Sequence, residues 1–227
     1  MKILAIIPAR GGSKGIPLKN LVKLNGKPLL YYSINSSLHS KYIDKTIIST
    51  DNKKIKNYAK KFNVEIIDRP KKLASNTAKI EPVISHTLDY LKKISNYVPD
   101  VIVLLQNTSP LRTSNHVESA LKFFFKNNFD SVLSSYVSHK FFWKNNNNKY
   151  FPVNYEPQNR PNRQNMDKQF IENGAIYITK YDSFRKSKCR VSGKLGLFIM
   201  NEEDSIDIDT SFDLLCAKSL LKSRNKK

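Results

Sequence analysis

The stretch from Ile6 to Asn20 reads Ile-Ile-Pro-Ala-Arg-Gly-Gly-Ser-Lys-Gly-Ile-Pro-Leu-Lys-Asn. Three of the chain's seven glycines, Gly11, Gly12 and Gly15, fall within five residues there. Residues without a Cβ let backbone N–H groups close around phosphate oxygens. Arg10, Lys14 and Lys19 add three cations to that backbone, and Ser13 adds a hydroxyl donor. Such equipment suits a triphosphate. A bare Gly-Gly is more often an ordinary connection, and the interleaved cations turn the reading toward anion binding. The segment matches neither G-x-x-x-x-G-K-[ST] nor G-x-G-x-x-G, which argues against an ordinary ATPase or a dehydrogenase.

A second constellation is Asp204-Ser205-Ile206-Asp207-Ile208-Asp209. On an extended segment, Asp207 and Asp209 point to one side while Ile208 points into the core. Two hard oxygen donors arranged in this way suit Mg²⁺, which keeps waters and shares substrate phosphates. The same residues could equally form a helix entry, because Asp209-Thr210-Ser211 resembles an N-cap region. His39, His86, His116 and His139 form no H-E-x-x-H or other ligand pattern, and no residue pattern marks a general base. Cys189 and Cys216 have no metal spacing and make a poor disulfide framework.

The elements that must position these residues alternate along the chain. Ile3–Ile7 is a continuous apolar run, as expected of a strand covered on both faces. A helix follows over Leu29–Leu38, behind Pro28 at a first helical position. Thr46–Thr50 reads as a strand, and Ile55, Tyr58, Ala59 and Phe62 recur at helical spacing. Val64–Ile67 is a strand, residues 80–91 a helix, and Val101–Leu105 a central strand. A helix marked by Val117, Ala120, Leu121, Phe124 and Phe125 precedes the strand Ser131–Ser135. Strands separated by helices imply crossover connections and a largely parallel sheet, hence an α/β fold. In such a sheet, ligands sit beyond the carboxyl ends of the strands, where the glycine loop would lie.

The period breaks between about residues 138 and 166, through Asn145–Asn148 and several prolines. Phe141, Phe142, Trp143, Tyr150, Phe151 and Tyr155 argue against disorder in that excursion, and a partner subunit would bury them. The pattern resumes at Ala175–Ile178 and closes with a helix over about 211–221. Residues 1–227 therefore read as one domain with an inserted excursion.

The net charge of +20 would attract nucleic acid, yet the lysines are strewn along the chain rather than set in one stripe. A solvated basic surface, favourable to small anionic substrates, is the better reading, with no nucleic-acid partner. No apolar run has the length to span a bilayer, and no signal-peptide pattern opens the chain, so the expected location is cytoplasmic.

The glycine loop resembles the N-terminal signature of the CMP-sialic acid synthetases (acylneuraminate cytidylyltransferases). The likeness extends through Arg69-Pro70, Leu73-Ala-Ser-Asn-Thr-Ala78, Gln106-Asn-Thr-Ser-Pro-Leu-Arg112, Asn173-Gly-Ala-Ile-Tyr-Ile178 and Asp204–Asp209, in the family's order. It implies a Rossmann-like three-layer nucleotidyltransferase fold, with the excursion forming a homodimer interface that reaches the neighbouring active site. It further implies CTP as co-substrate, held by Arg10, Ser13, Lys14, Lys19 and Asn20, with Arg69 and the backbone at Ala78 reading cytosine. Arg10, Lys14, Lys19, Asp207 and Asp209 would carry the catalysis, the two aspartates through Mg²⁺. Gln106, Thr108, Ser109, Lys144, Arg163, Asn173 and Tyr177 would hold the acceptor, a nine-carbon 2-keto sugar acid.

Asn76, Asn107 and Ile171-Glu172 depart from common family residues, the last pair beside the acceptor positions. N-acetylneuraminate is the expected acceptor and legionaminate the alternative. Outside this class stand a non-catalytic nucleotide- or RNA-binding homologue and a sugar-phosphate pyrophosphorylase. The intact Arg10, Lys19, Asp207 and Asp209 speak against a non-catalytic homologue.

Overall fold

The computed structural model describes residues 1–13 and 15–224. The first half comprises β1 (Ile3–Pro8), β2 (Lys23–Leu24), β3 (Lys27–Pro28), α1 (Leu29–Leu38), β4 (Lys45–Thr50), α2 (Lys53–Ala59), β5 (Glu65–Asp68) and α3 (Glu81–Ser95). Then come β6 (Val101–Leu105), α4 (Ser114–Lys126), β7 (Ser131–Ser138), β8 (Trp143–Asn146) and β9 (Lys149–Pro152). The chain ends with β10 (Gln169–Lys180), α5 (Tyr181–Ser187), β11 (Leu195–Ile199) and α6 (Ser211–Arg224).

Seven strands form the central sheet in the order β11-β7-β10-β6-β1-β4-β5. β6, β1, β4 and β5 run parallel, and β11 is parallel to β7. β10 alone is reversed, pairing antiparallel with both β6 and β7. The α/β class and the mainly parallel sheet expected from the alternation are therefore present.

The continuous apolar runs make sense in three layers. Ile3, Ala5 and Ile7 of β1 pack with Leu30, Ile34, Ile55 and Val117 from α1, α2 and α4. Leu4 and Ile6 face the other way, onto Ile84, Leu88 and Phe184 from α3 and α5. Successive strand side chains alternate between faces, so a strand covered on both sides needs apolar residues at every position. Each fully buried isoleucine or leucine contributes about 1.5–3 kcal/mol of transfer free energy. A smaller cluster of Leu24, Leu29, Ile208 and Ala217 seats α6 beside the glycine loop.

Several elements differ from the sequence expectation. Phe62 lies beyond α2, which ends at Ala59, and it packs on the core from the following turn. The aperiodic stretch holds the β8–β9 hairpin, whose turn residues Asn147 and Asn148 both take positive φ. Two asparagines suit such a mirror-image turn because their short amide side chains tolerate that region. β10 begins at Gln169, six residues before the expected strand, because it returns beside β7 and needs no helical crossover. α5 and β11 have no counterpart in the sequence pattern. Both are short, and β11 is an edge strand carrying Gly196 against the Phe129 ring.

β4 lies on one side of β1 and β6 on the other. Connections leaving the carboxyl ends of β1 and β6 therefore diverge and open a crevice between them.

Candidate active site

That crevice is a cavity of about 530 Å³. It is lined by Arg10, Ser13, Lys19 and Asn20 after β1, Arg69 to Val83 after β5, Gln106 to Thr108 after β6, and Asp209. Four segments distant in sequence meet there because each follows the same end of the sheet.

The glycine loop is wired from within. Ser13 Oγ donates to Ile16 O (2.6 Å) and accepts from Lys19 N (3.1 Å), while Asn20 Nδ2 holds Arg10 O (2.8 Å). Leu18 takes φ 49°, a left-handed conformation unfavourable for a side chain with a Cβ, immediately before Lys19. A Cβ on Gly15 would lie 2.5 Å from Asp209 O, so only glycine lets this loop lie against the aspartate segment. Lys14, the remaining cation proposed for phosphate contact, lies outside the described residues.

Lys19 joins the two constellations. Its Nζ donates to Asp209 Oδ1 at 2.7 Å and to Ile208 O at 2.8 Å. Ile208 is fully buried and its N–H donates to Thr108 O (2.8 Å), so the segment is pinned beside the β6 loop with both aspartates outward. Asp207 accepts from the Thr108 side chain. Surrounding protein strips solvation from the Asp207 carboxyl and Asp209 repels its charge, which together raise its pKa despite Thr108 and Lys19. A carboxylate in that position gains from a nearby cation. The helix-entry reading also has its place: Thr210 and Asp213 cap α6 reciprocally, with Thr210 N donating to Asp213 Oδ2 (2.7 Å) and Asp213 N to Thr210 Oγ1 (3.3 Å). Capping thus falls to Thr210 and Asp213, while Asp209 turns to Lys19. Among the described residues no three carboxylate, histidine or cysteine side chains converge as a metal cluster.

Arg69 is buried, with Nε on Ser49 Oγ (3.2 Å) and Nη2 on Ser49 O (2.7 Å). Burial lowers its pKa to about 10, opposed by Asp51 and aided by Arg10, so it stays charged at neutral pH. The guanidinium is thereby fixed in orientation at the cavity wall. Arg10 spans the mouth, its Nη1 donating to Ser75 O at 2.6 Å. Ala78 lines the same wall.

The residues expected to hold an acceptor divide into three groups. Gln106 and Thr108 line the cavity. Ser109, Asn173 and Tyr177 are buried behind it. Asn173 accepts from Ser134 Oγ (2.6 Å) and Ala175 N (3.1 Å) and donates to Ser205 Oγ (2.8 Å), so its carboxamide is occupied by the protein. Ser109 Oγ contacts Asn173 O at 3.4 Å. Tyr177 donates to Glu172, with the Arg190 guanidinium 4.7 Å above its ring centroid, and burial chiefly, then Glu172, raises the phenol's pKa. Lys144 and Arg163 are exposed on the excursion, away from this cavity.

Sequence reasoning missed Ser75, Lys79, Ile80 and Val83 of the lining, and it gave Asn107 no role at the site. Lys79 directly follows the Leu73–Ala78 string, which was the available signal. Asn107 donates to Pro8 O (3.0 Å), tying β6 to β1 at the crevice floor, while its Oδ1 is buried without a partner. His116 proves to be a capping residue: Thr113 N donates to its Nδ1 (3.2 Å) at the start of α4.

A cavity walled by fixed cations, with paired carboxylates at its edge and the Gln106 carboxamide in its lining, suits a polyphosphate beside a polar acceptor. Residues 4–222 match the family model described as Cytidylyltransferase. The chain belongs to that family. It is 35% identical over 217 residues to the N-acylneuraminate cytidylyltransferase of Oncorhynchus mykiss, covering 93% of this chain and 48% of that one. It is 32% identical over 233 residues to the enzyme of that name from Escherichia coli O18:K1:H7, covering 99% and 53%. The chain thus spans about half the length of these curated relatives. A third relative, the Post-translational flagellin modification protein B of Campylobacter coli, is 31% identical and matched over 97% of its own length.

Two solved structures share the fold. CMP:2-keto-3-deoxy-manno-octonic acid synthetase complexed with CTP superposes with a TM-score of 0.72 at 16% identity, covering 99% of this chain and 100% of that chain. A 4-diphosphocytidyl-2C-methyl-D-erythritol synthase does so with a TM-score of 0.70 at 12% identity, covering 97% and 98%.

Proposed function

We propose that this chain transfers CMP from CTP to the anomeric hydroxyl of a nine-carbon 2-keto sugar acid, N-acetylneuraminate, releasing pyrophosphate. The observation that carries the reading is the Lys19–Asp209 junction, where the glycine loop and the aspartate pair meet at the edge of a cavity that Gln106 and Thr108 also line. The relatives named N-acylneuraminate cytidylyltransferase, matched over 93–99% of this chain, support the acceptor class.

In this reading the glycine loop, Arg10, Lys14 and Lys19 take the triphosphate, with Ser13 and Asn20 bracing the loop. Arg69 and the Ala78 backbone read the cytosine edge. The acceptor hydroxyl oxygen forms a bond to the α-phosphorus as the bond to the bridging oxygen breaks, and the hydroxyl proton is released. Negative charge gathers on the departing pyrophosphate, where fixed cations stabilise it without reorganising. Asp207 and Asp209 would hold Mg²⁺, for which their hard oxygen atoms, set on one side of the segment, are suited. The ion would supply further neutralisation of phosphate charge. Gln106 and Thr108 meet the acceptor directly, while Ser109, Asn173 and Tyr177 shape the wall behind them. Lys144 and Arg163 would reach the acceptor of a neighbouring protomer. The exposed Trp143, Tyr150, Phe151 and Val153 of the excursion support a homodimer through residues 138–166 of a single-domain chain. The two free cysteines suit a cytoplasmic location.

A second reading has legionaminate as the acceptor. It rests on Ile171-Glu172, a departure from common family residues beside Asn173 that would change how the acceptor's side chain is held, and on the likeness to the flagellin modification protein B of Campylobacter coli. The test is pyrophosphate release from CTP and Mg²⁺ with N-acetylneuraminate, legionaminate and the eight-carbon acid Kdo offered separately. Release requiring CTP, metal and one nine-carbon acid is expected and names the acceptor. CTP binding without turnover on any acid would replace the reading with a nucleotide-binding role.

A further inference from the structure

Arg112 is almost wholly buried, at 2% exposure, at the end of the loop that leaves β6. Its partners are all neutral. Nη1 donates to Ala175 O (2.8 Å) and Gln106 O (3.0 Å), Nη2 to Ser33 Oγ (2.8 Å), and Nε to Ser36 Oγ (3.2 Å). Burial lowers its pKa to about 9, and among the described residues no carboxylate forms an ion pair with it. Burying a guanidinium without a counter-charge is costly, and an apolar side chain would fill the same volume at less expense. The charge therefore needs a reason beyond packing.

What the guanidinium joins supplies one. Gln106 O receives two donors, Arg112 Nη1 and Ser33 Oγ (3.2 Å). The same Nη1 holds Ala175 O, immediately after Gly174. Gly174 faces the Gln106 carboxamide so closely that a Cβ there would lie 2.5 Å from Oε1. Arg112 thus staples together the two backbone segments between which the Gln106 side chain is held. None of its hydrogen bonds goes to the glycine loop. A planar fork serves two carbonyls and two hydroxyls at fixed angles, which an ammonium cannot do.

We propose that Arg112, assisted by Ser33, is a positioning residue that sets Gln106 for the sugar-acid acceptor and leaves the nucleotide half of the site untouched. The proposal rests on the reading that Gln106 holds the acceptor. The test measures KM for N-acetylneuraminate, KM for CTP, kcat and Tm in Arg112→Lys, Ser33→Ala, Gln106→Ala and the double variants with Gln106→Ala. Arg112→Lys and Ser33→Ala should each raise the acid's KM roughly 10-fold and leave that of CTP within about two-fold. In the Gln106→Ala background, either change should add little, since the group being positioned is gone. Ser33→Ala carries the test if Arg112→Lys fails to fold. Equal rises in both KM values, or fully additive losses with Gln106→Ala, would mean that Arg112 serves the core alone. An unchanged acid KM in Gln106→Ala would instead sink the acceptor reading of Gln106, and this proposal with it.

Discussion

Replacing Gly174 by alanine perturbs one contact in two separable ways. The residue sits at φ +68° inside the β10 irregularity between Glu172 and Tyr177. An alanine held there costs about 1–2 kcal/mol of backbone energy, which for a chain of this size lowers Tm by roughly 2–8 °C. Its Cβ would also lie 2.5 Å from Gln106 Oε1, so the carboxamide must retreat by roughly 1 Å to reach ordinary contact. Displacement on that scale of a group holding substrate reduces kcat/KM for the acid by roughly 10–100-fold. CTP affinity should stay within about two-fold, because the nucleotide wall is built from other segments. Gly174→Asn separates the two effects: asparagine tolerates positive φ yet still carries a Cβ. It should lose less Tm than Gly174→Ala while losing as much kcat/KM for N-acetylneuraminate. Thermal melting, calorimetric CTP titration and steady-state pyrophosphate release measure the three quantities. If Gly174→Asn recovers activity in step with its stability, or Gly174→Ala leaves the acid's kcat/KM unchanged, the steric argument is refuted.

Lys19→Met should lower kcat roughly 10²–10³-fold, the scale of losing one fixed stabiliser of developing charge. Stability should fall by less than about 1 kcal/mol, because the Asp209 side chain of the pair is 72% exposed; comparable losses in both would deny Lys19 a catalytic role. For Asp207 the folded pKa lies above the ordinary 3.8, chiefly through burial and then Asp209. Its stabilising effect is therefore complete below pH 3.8 and lost as pH rises through the folded value. Asp207→Asn should accordingly raise the metal-free Tm at pH 7 by about 1–2 °C, a gain that disappears in acid, while Mg²⁺-dependent turnover collapses; a lower Tm at pH 7 would contradict the burial argument. Arg69→Lys, which cannot reproduce the fork on Ser49, should raise KM for CTP roughly 10–100-fold and narrow the preference for CTP over UTP, as read by competition kinetics. For the proposed homodimer, the unsubstituted chain should sediment as a dimer at micromolar concentration and Trp143→Asp as a monomer; equal masses would refute an interface at the hairpin.

Much of this protein was legible from residue order. The apolar runs at Ile3–Ile7 and Val101–Leu105 declared strands buried on both faces, because a three-layer sheet removes the alternation an exposed strand would show. The interleaved glycines and cations of Arg10–Lys19 marked the loop proposed to take the phosphates, since that chemistry depends on a local stretch of backbone. Asp207 and Asp209 showed their common side through Ile208, whose burial is fixed by its own type.

Only tertiary structure decided the rest. The reversal of β10 and the pairing of β11 depend on partners far along the chain, and short strands carry too little periodicity to announce themselves. That Asn173 is consumed by Ser134 and Ser205, while Gln106 remains in the cavity, cannot be read from two polar residues each following an apolar or acidic stretch. The junction of Lys19 with Asp209 spans 190 positions, and Arg112 shows its purpose only where Ser33, Gln106 and Ala175 surround it. Sequence specifies donors, acceptors and charges locally, whereas which of them satisfy one another, and which remain for a ligand, is settled when the segments meet.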